Sequence, residues 1–298
     1  MEGLVLRISD NVLLLGNGHF NHYIVGTSQA ALIEGGMSAG IPSFKQQWES
    51  LEIKPAISHI IALHSHFDHV CGIPAFRQMF TEAVVCASAG TERLLSKEKV
   101  CKAIQLGDQL VSDVYYNDHR ISEKPAPFDI ALLKIDQVVG EGDVFELGSD
   151  LTLQIIETPG HSSCSISAYL PQEEVMFVSD AAGTAISPEV IAPVFFQDYD
   201  LYLDSIRKLM DYPTRILAVG HGEVVIGTEK VQSFYRRSLD SAQNAFEAIK
   251  KELTAGTDTE ELARQLYDQY MTGGLADYPA PVMLASLSQL VNNVAKRM

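Results

Sequence analysis

The first quarter of the chain alternates short apolar runs with turn residues. Val5 to Ile8, Val12 to Leu15, His22 to Val25 and Ala30 to Ile33 are divided by Asp10-Asn11, Gly16-Asn17-Gly18 and Thr27-Ser28, and Glu34-Gly35-Gly36 closes the series. Short runs broken by Gly, Asn and Asp predict a meander of antiparallel strands. Ile41 to Leu51 changes period: Pro42 suits a first helical turn, and Phe44, Trp48 and Leu51 fall on one side. Ile57 to Ile61 carries almost no charge and is rich in β-branched residues, the pattern of a strand buried on both faces. Ile73 to Phe80 predicts a helix and Val84 to Ala87 a strand. Thr91 to Ile121 predicts a long, mostly helical insertion with Val100, Ile104, Leu110, Val114 and Tyr115 on its apolar side, ended by Pro125-Ala126-Pro127.

The second half repeats this logic. Strands are predicted at Leu132 to Ile135, Leu151 to Glu157, Ile166 to Leu170, Val175 to Ser179 and Ile216 to Val219. Between the last two lies an amphipathic helix, Asp200 to Met210, with Leu201, Ser205 and Leu209 along one face. Two strand sets with helices outside predict an α+β fold of αββα sandwich type. Beyond Gly227 only helical spacing remains: Val231, Tyr235, Ala242, Ala245 and Ile249 mark a first helix. Thr257 with Glu260 reads as the capping box of a second, stopped by Gly273-Gly274. Pro281 opens a third, with Leu284, Leu287, Val291 and Val294 on its apolar side. We therefore expect a catalytic domain over residues 1–227 and a helical cap over 228–298. The cap is too small to fold alone, so it should pack back on the sandwich, either simply resting there or, the favoured reading, closing over the edge that the sandwich alone leaves exposed, as a lid.

The 298 residues are 46% apolar, enough for a full core. Lys and Arg number 22 against 38 Asp and Glu, a net charge of −16, which disfavours nucleic acid and anionic lipid as partners. Four cysteines (Cys71, Cys86, Cys101 and Cys164) show no paired spacing, as expected of reduced thiols in a cytoplasmic protein. Glu2, Arg7 and Asp10 interrupt the N-terminal apolar stretch, which reads as a hairpin rather than a signal peptide. No run is long enough to cross a bilayer.

The chemistry concentrates at His64-Ser65-His66-Phe67-Asp68-His69, where the buried strand should end. Residues two apart on an extended backbone point the same way, so His64 and His66 can hold one ion together. Asp68 and His69 come after the chain begins to turn and are aimed elsewhere, which suits a second ion close by. A lone histidine is usually a core or surface residue. Four such donors packed behind an apolar strand are different, because imidazoles and a carboxylate buried together without a cation are costly.

HSHFDH matches the His-x-His-x-Asp-His signature of the metallo-β-lactamase-fold hydrolases. The chain resembles that family further in ETPGHSS with His161, VSDAAG with Asp180 and VGHGE with His221, in the family's order. The resemblance implies that His64, His66 and His161 hold one divalent metal ion and Asp68, His69 and His221 a second, with Asp180 between them. Zinc, iron and manganese all suit such donors. It also implies a metal-bridging hydroxide as nucleophile, with Asp68 orienting the attacking water or accepting its proton. Thr158-Pro159-Gly160 makes a tight turn ahead of His161, and Gly220 and Gly222 let the backbone crowd His221. Ser179 and Leu63 depart from the usual glycine and threonine beside the ligands.

Within the family the chain is most similar to the quinolone-signal response thioesterase-like proteins. It shares their length, the Glu-Gly-Gly closing the first sheet, the helical insertion after Val84 and a Phe-x-Asp-x-x-x-Tyr-Leu-x-Ser run at Phe196 to Ser205. Glyoxalase II-like thioesterases are more distantly similar. Hydrolysis of a small-molecule thioester or ester is therefore expected. A lactonase or phosphodiesterase on the same centre, an iron-dependent persulfide dioxygenase, and a regulatory protein with incidental hydrolysis are the alternatives. Tyr199, Tyr270 and Tyr278 are candidate pocket aromatics and His19 and His22 candidate pocket walls, with ordinary structural roles the commoner use of each. A homodimer is left open.

Overall fold

The computed structural model describes residues 5–148 and 150–298. The N-terminal alternation forms β1 (Leu6–Ser9), β2 (Val12–Gly16), β3 (Asn21–Val25) and β4 (Ala30–Ile33), paired antiparallel in chain order. Helix α1 (Ile41–Ser50) carries the chain to β5 (Ile57–Ile61), which lies parallel to β4. Helices α2 (Phe67–Val70) and α3 (Ile73–Met79) lead to β6 (Val84–Ser88), parallel again. Helices α4 (Ala89–Leu95) and α5 (Glu98–Asn117) precede the last strand of this sheet, β7 (Gln137–Val139). A second, six-stranded sheet comprises β8 (Val144–Glu146), β9 (Thr152–Glu157), β10 (Ile166–Leu170) and β11 (Val175–Ser179), followed by later strands. A small ribbon of β12 (Thr184–Ala185) and β13 (Ile191–Ala192) and helix α6 (Tyr199–Met210) intervene. Then β14 (Ile216–Val219) joins parallel to β11, and β15 (Val225–Ile226) pairs with β14 at the edge.

The two sheets bury a shared core in which Ile33, Ile61, Ile155, Ala168, Phe177 and Ile216 are almost wholly enclosed. A second apolar cluster coats the outer faces under the helices and continues into the C-terminal helices. This is the expected α+β sandwich. The tail forms α7 (Thr228–Ala255), α8 (Thr259–Tyr270) and α9 (Ala280–Ala295), with a 3-10 turn at Gly273–Asp277 between the last two. Val231, Tyr235, Ala242, Ala245 and Ile249 are all buried, as their spacing predicted.

Several local readings are corrected. Leu132 to Ile135 is not a strand. Asp129 caps a 3-10 turn at Ile130–Leu133, and the Leu132 carbonyl accepts from Arg77 Nε at 3.0 Å instead of a strand partner. The helical insertion is interrupted at Ser96-Lys97. On α5 the buried stripe runs through Cys101, Ile104, Gly107, Val111 and Tyr115, leaving Val100, Leu110 and Val114 half-buried. The stripe is turned because the Phe67 ring lies 3.0 Å from where a β-carbon on Gly107 would sit. Leu201 is 47% exposed, while α6 packs through Tyr202, Leu203, Ser205, Ile206 and Leu209. Asp258, not Thr257, caps α8, accepting from the backbone N–H of Glu260 and Glu261. The Thr257 hydroxyl instead donates to Glu252. In α9, Met283 and Leu290 are buried with Leu287, Val291 and Val294, and Leu284 is only half-buried.

Candidate metal centre

Four strand ends deliver the donors to one place. The turn after β5 brings His64, His66, Asp68 and His69; the loop after β9 brings His161; β11 runs into Asp180; and β14 runs into His221. Backbone conformation makes these turns sharp. Ser179 has a positive φ of 50°, which swings Asp180 out of the strand line where the pairing of β11 with β14 slips. Gly160 has φ 133°, and a β-carbon there would lie 2.3 Å from the Tyr202 backbone, so only glycine fits the turn before His161. Gly220 is needed for space, its missing β-carbon facing the His69 ring at 3.0 Å. Gly222 has open space around it, and its φ of 83° is what it contributes.

All seven sequence-predicted donors converge, in two groups. Donor atoms of His64, His66, His161 and Asp180 lie within 4.8 Å of one another, as do those of Asp68, His69 and His221. Asp180 faces both groups. Its Oδ2 is 3.4 Å from Nε2 of His161 and 3.4 Å from Nε2 of His69, and its Oδ1 is 3.6 Å from Nε2 of His221.

The imidazoles are held from behind. His161 Nδ1 donates to the Val194 carbonyl at 2.9 Å and His221 Nδ1 to the His19 carbonyl at 2.6 Å. His69 Nδ1 donates to Glu34 Oε2 at 2.9 Å, and His64 Nδ1 lies 3.2 Å from the Ser179 hydroxyl. In each of these four rings the other nitrogen, Nε2, is left for the interior. His64 Nε2 is fully buried and has no hydrogen-bond partner. Across the groups' interiors, His161 Nε2 approaches His66 Nδ1 at 2.9 Å and His221 Nε2 approaches His69 Nε2 at 3.2 Å.

Burial and the neighbouring imidazoles push His66 down to about 3 and His64 well below its ordinary value, so both rings are neutral with lone pairs available. Burial likewise lowers His161. Burial opposes ionisation of Asp68 and Asp180, but His69 and His221 overcome it and hold both carboxyls well below the usual range. For His69, burial pulls downward while Glu34, Asp68 and Asp180 pull harder, and the net shift is strongly upward. This half of the cluster therefore demands positive charge. Neutral imidazoles in the first group, ionised carboxylates, anchored outer nitrogens and an orphaned inner one together fit divalent cations.

Three roles go beyond the sequence reading, in which Tyr278 is only a candidate pocket aromatic and Ser179 only a departure beside the ligands. Glu34, in the Glu-Gly-Gly turn, is buried behind His69 and holds a positive φ of 76°. Its signal was present in the turn, but nothing in the sequence pairs it with His69. Ser179 touches the rings of both His64 and His69. Tyr278, from the far end of the chain, donates its hydroxyl to Asp68 Oδ2 at 2.7 Å. The same segment is tied down by Asp277, whose carboxylate accepts from Arg120 at 2.5 and 2.7 Å and lies 3.2 Å from His19. Tyr270 lines the site as well, whereas Tyr199 stacks on Phe246 away from it. His22 is wholly buried and donates to the Glu34 carbonyl, so it supports rather than touches the cavity. All four cysteines are buried and free, and burial pushes the Cys71 thiol well up.

Comparison with known proteins agrees with this geometry. Residues 17–221 match the model of the metallo-beta-lactamase superfamily. The metallo-beta-lactamase fold-containing protein ST1585 of Sulfurisphaera tokodaii is 24% identical over 207 residues, 68% of this chain and 72% of that protein. An atrochrysone carboxyl ACP thioesterase of Aspergillus fumigatus is 26% identical over 230 residues, covering 75% of this chain and 56% of that one. Among solved structures, the metallo-beta-lactamase family protein TTHA1429 from Thermus thermophilus superposes with a TM-score of 0.67 at 18% identity, over 98% of this chain and 94% of that one. Among the described residues, no helix is long and apolar enough to cross a membrane.

Proposed function

The chain belongs to the metallo-β-lactamase superfamily, and on that premise we propose that it is a metal-dependent hydrolase of a thioester or ester. His64, His66 and His161 would hold one divalent ion and Asp68, His69 and His221 another, with Asp180 shared. The observation that carries this reading is the set of inward Nε2 atoms whose Nδ1 partners are already fixed, His64 Nε2 being buried without any partner. When bound, such ions supply a Lewis acid and lower the pKa of water at neutral pH.

The protein's own groups then do the rest. Glu34, Val194 and His19 fix ring orientations, so the donor set needs little rearrangement. Asp68 would orient the attacking water or take its proton, and the Tyr278 hydroxyl, donating to its Oδ2, would steady that carboxylate. Phe67, Phe196, Met283 and Leu287 form an apolar wall beside the donors, which suits an acyl group and excludes bulk water. Residues 1–227 would form the catalytic domain, supplying Phe67 and Phe196, and 228–298 the cap, supplying Met283 and Leu287. A named thioesterase among the relatives supports the choice of bond.

The test is elemental analysis of purified protein followed by a thioester, ester, lactone and phosphodiester panel, with oxygen uptake on a persulfide as a separate arm. About two metal ions per chain and turnover of a thioester or ester are expected. His64→Ala and Asp180→Ala should each lose metal and activity together; full activity in either variant refutes the assignment.

A further inference from the structure

Two cavities adjoin the donor cluster, and their linings differ in kind. One, of about 130 Å³, has the donors His66, Asp68, His161 and Asp180 at its base and apolar side chains elsewhere. Of the polar groups on its wall, Tyr278 donates to Asp68, and the Ser286 hydroxyl to the Val282 carbonyl. The other, of about 430 Å³, is lined by polar groups including Asn17, His19, Ser43, Arg120 and Asp277. Both cavities share Thr184, His221 and Leu275, so a bond held beside the donors has one chamber on each side.

We infer that the substrate is a compact, apolar acyl group joined to a larger, polar and locally uncharged carrier. The inference rests on the hydrolase reading above and specifies which part of the molecule is selected. A cavity of about 150 Å³ walled by Leu, Ile and Phe takes one benzene molecule, so the smaller chamber accepts an acyl group of about four to six carbons or a single ring. Its length is limited by Met283 and Leu287, both buried on α9. Among the described residues, the outer chamber offers no unpaired arginine or lysine at its edge, because Arg120 is bonded to Asp277 and also to Asp118 at 2.7 Å. Selection therefore lies in the acyl half, and a carrier needs no phosphate or carboxylate to be gripped there.

The experiment uses the full-length, metal-loaded protein and N-acetylcysteamine thioesters of straight-chain acids from two to twelve carbons. In parallel, calorimetry measures binding of the free acids. Each buried methylene is worth about 0.8 kcal/mol, so affinity should rise roughly fourfold per carbon up to about six carbons, then fall at least tenfold by ten. Leu287→Ala should move the optimum about two carbons longer, and Met283→Ala provides the same shift independently if the first variant folds poorly. A profile that is flat, or that climbs steadily to twelve carbons in the wild-type protein, overturns the inference. The two readings fail separately. Acids that bind with the break while no thioester or ester is cleaved refute the hydrolase and leave the chamber standing; thioesters cleaved without any break refute the chamber alone.

Discussion

Replacing Glu34 with glutamine isolates the contribution of a single buried charge to metal binding. Glu34 is 2% exposed, and its Oε2 accepts from His69 Nδ1 at 2.9 Å. A glutamine carbonyl can still accept that hydrogen bond, so the ring stays in place and only the charge is removed. Carboxylates behind ligating histidines raise ligand basicity, and their loss costs about 10- to 100-fold in metal affinity, or about 1.4 to 2.8 kcal/mol at 1.4 kcal/mol per decade. The backbone contribution cancels, because the positive φ of 76° at this residue is equally unfavourable for glutamate and glutamine. Glu34→Ala removes the hydrogen bond as well and should fall at or beyond the upper end. The assay is competition against a chromophoric chelator at fixed pH, with both metal equivalents resolved. The loss should fall on one equivalent, the one served by His69. Affinity within twofold of wild type for Glu34→Gln would refute the idea that this carboxylate tunes its histidine.

Asp108 provides a pH test away from the donors. Burial pushes its carboxyl up from 3.8 to about 6, although it accepts from the Ser38 N–H at 2.8 Å. A carboxyl whose folded-state pKa is raised favours folding when protonated. That stability is fully present below about pH 4 and is lost as pH rises through about 6, a span of about 3 kcal/mol at 1.36 kcal/mol per unit. Asp108→Asn should thus be nearly neutral at pH 4 and stabilising by up to about 3 kcal/mol at pH 8, read by urea unfolding; a pH-independent difference would contradict it. Tyr278→Phe removes a donor to a buried carboxylate, worth about 1.5 to 3 kcal/mol. It should lower kcat/KM at least about tenfold, and an unchanged kcat/KM would exclude a role at Asp68. Asp277→Asn weakens the contacts to Arg120 and His19. Since Arg120 is one-third exposed, stability should change by less than about 1 kcal/mol, while limited proteolysis near residues 271–279 speeds up; an unaltered cleavage pattern counts against a latch.

The fold was legible where pattern and turn chemistry agreed. The first meander, the buried strand before His64 and the helix from Thr228 all carry periodicity that their burial repeats. All seven donors were readable because chemistry is carried by residue type and order, and each follows or lies near a strand end. Errors arose where a side chain from elsewhere decided the outcome. Arg77 captures the Leu132 carbonyl, and Phe67 presses on Gly107. Neither of these partners is local. The contacts of Glu34 with His69 and of Tyr278 with Asp68 were hidden for the same reason, being 35 and 210 residues apart in the chain, although Tyr278 itself is legible as a candidate pocket aromatic.

The position of Tyr278 in the chain also fixes an order of events during synthesis. Every donor has emerged by His221, whereas the tyrosine that closes on Asp68 follows 57 residues later (278 − 221). A chain that takes up ions there would meet them before its last helices are in place. Loading a finished chain and stripping it would both have to pass the same late-folding door, so exchange in the mature protein should be governed by how often residues 271–279 lift rather than by how tightly the histidines grip.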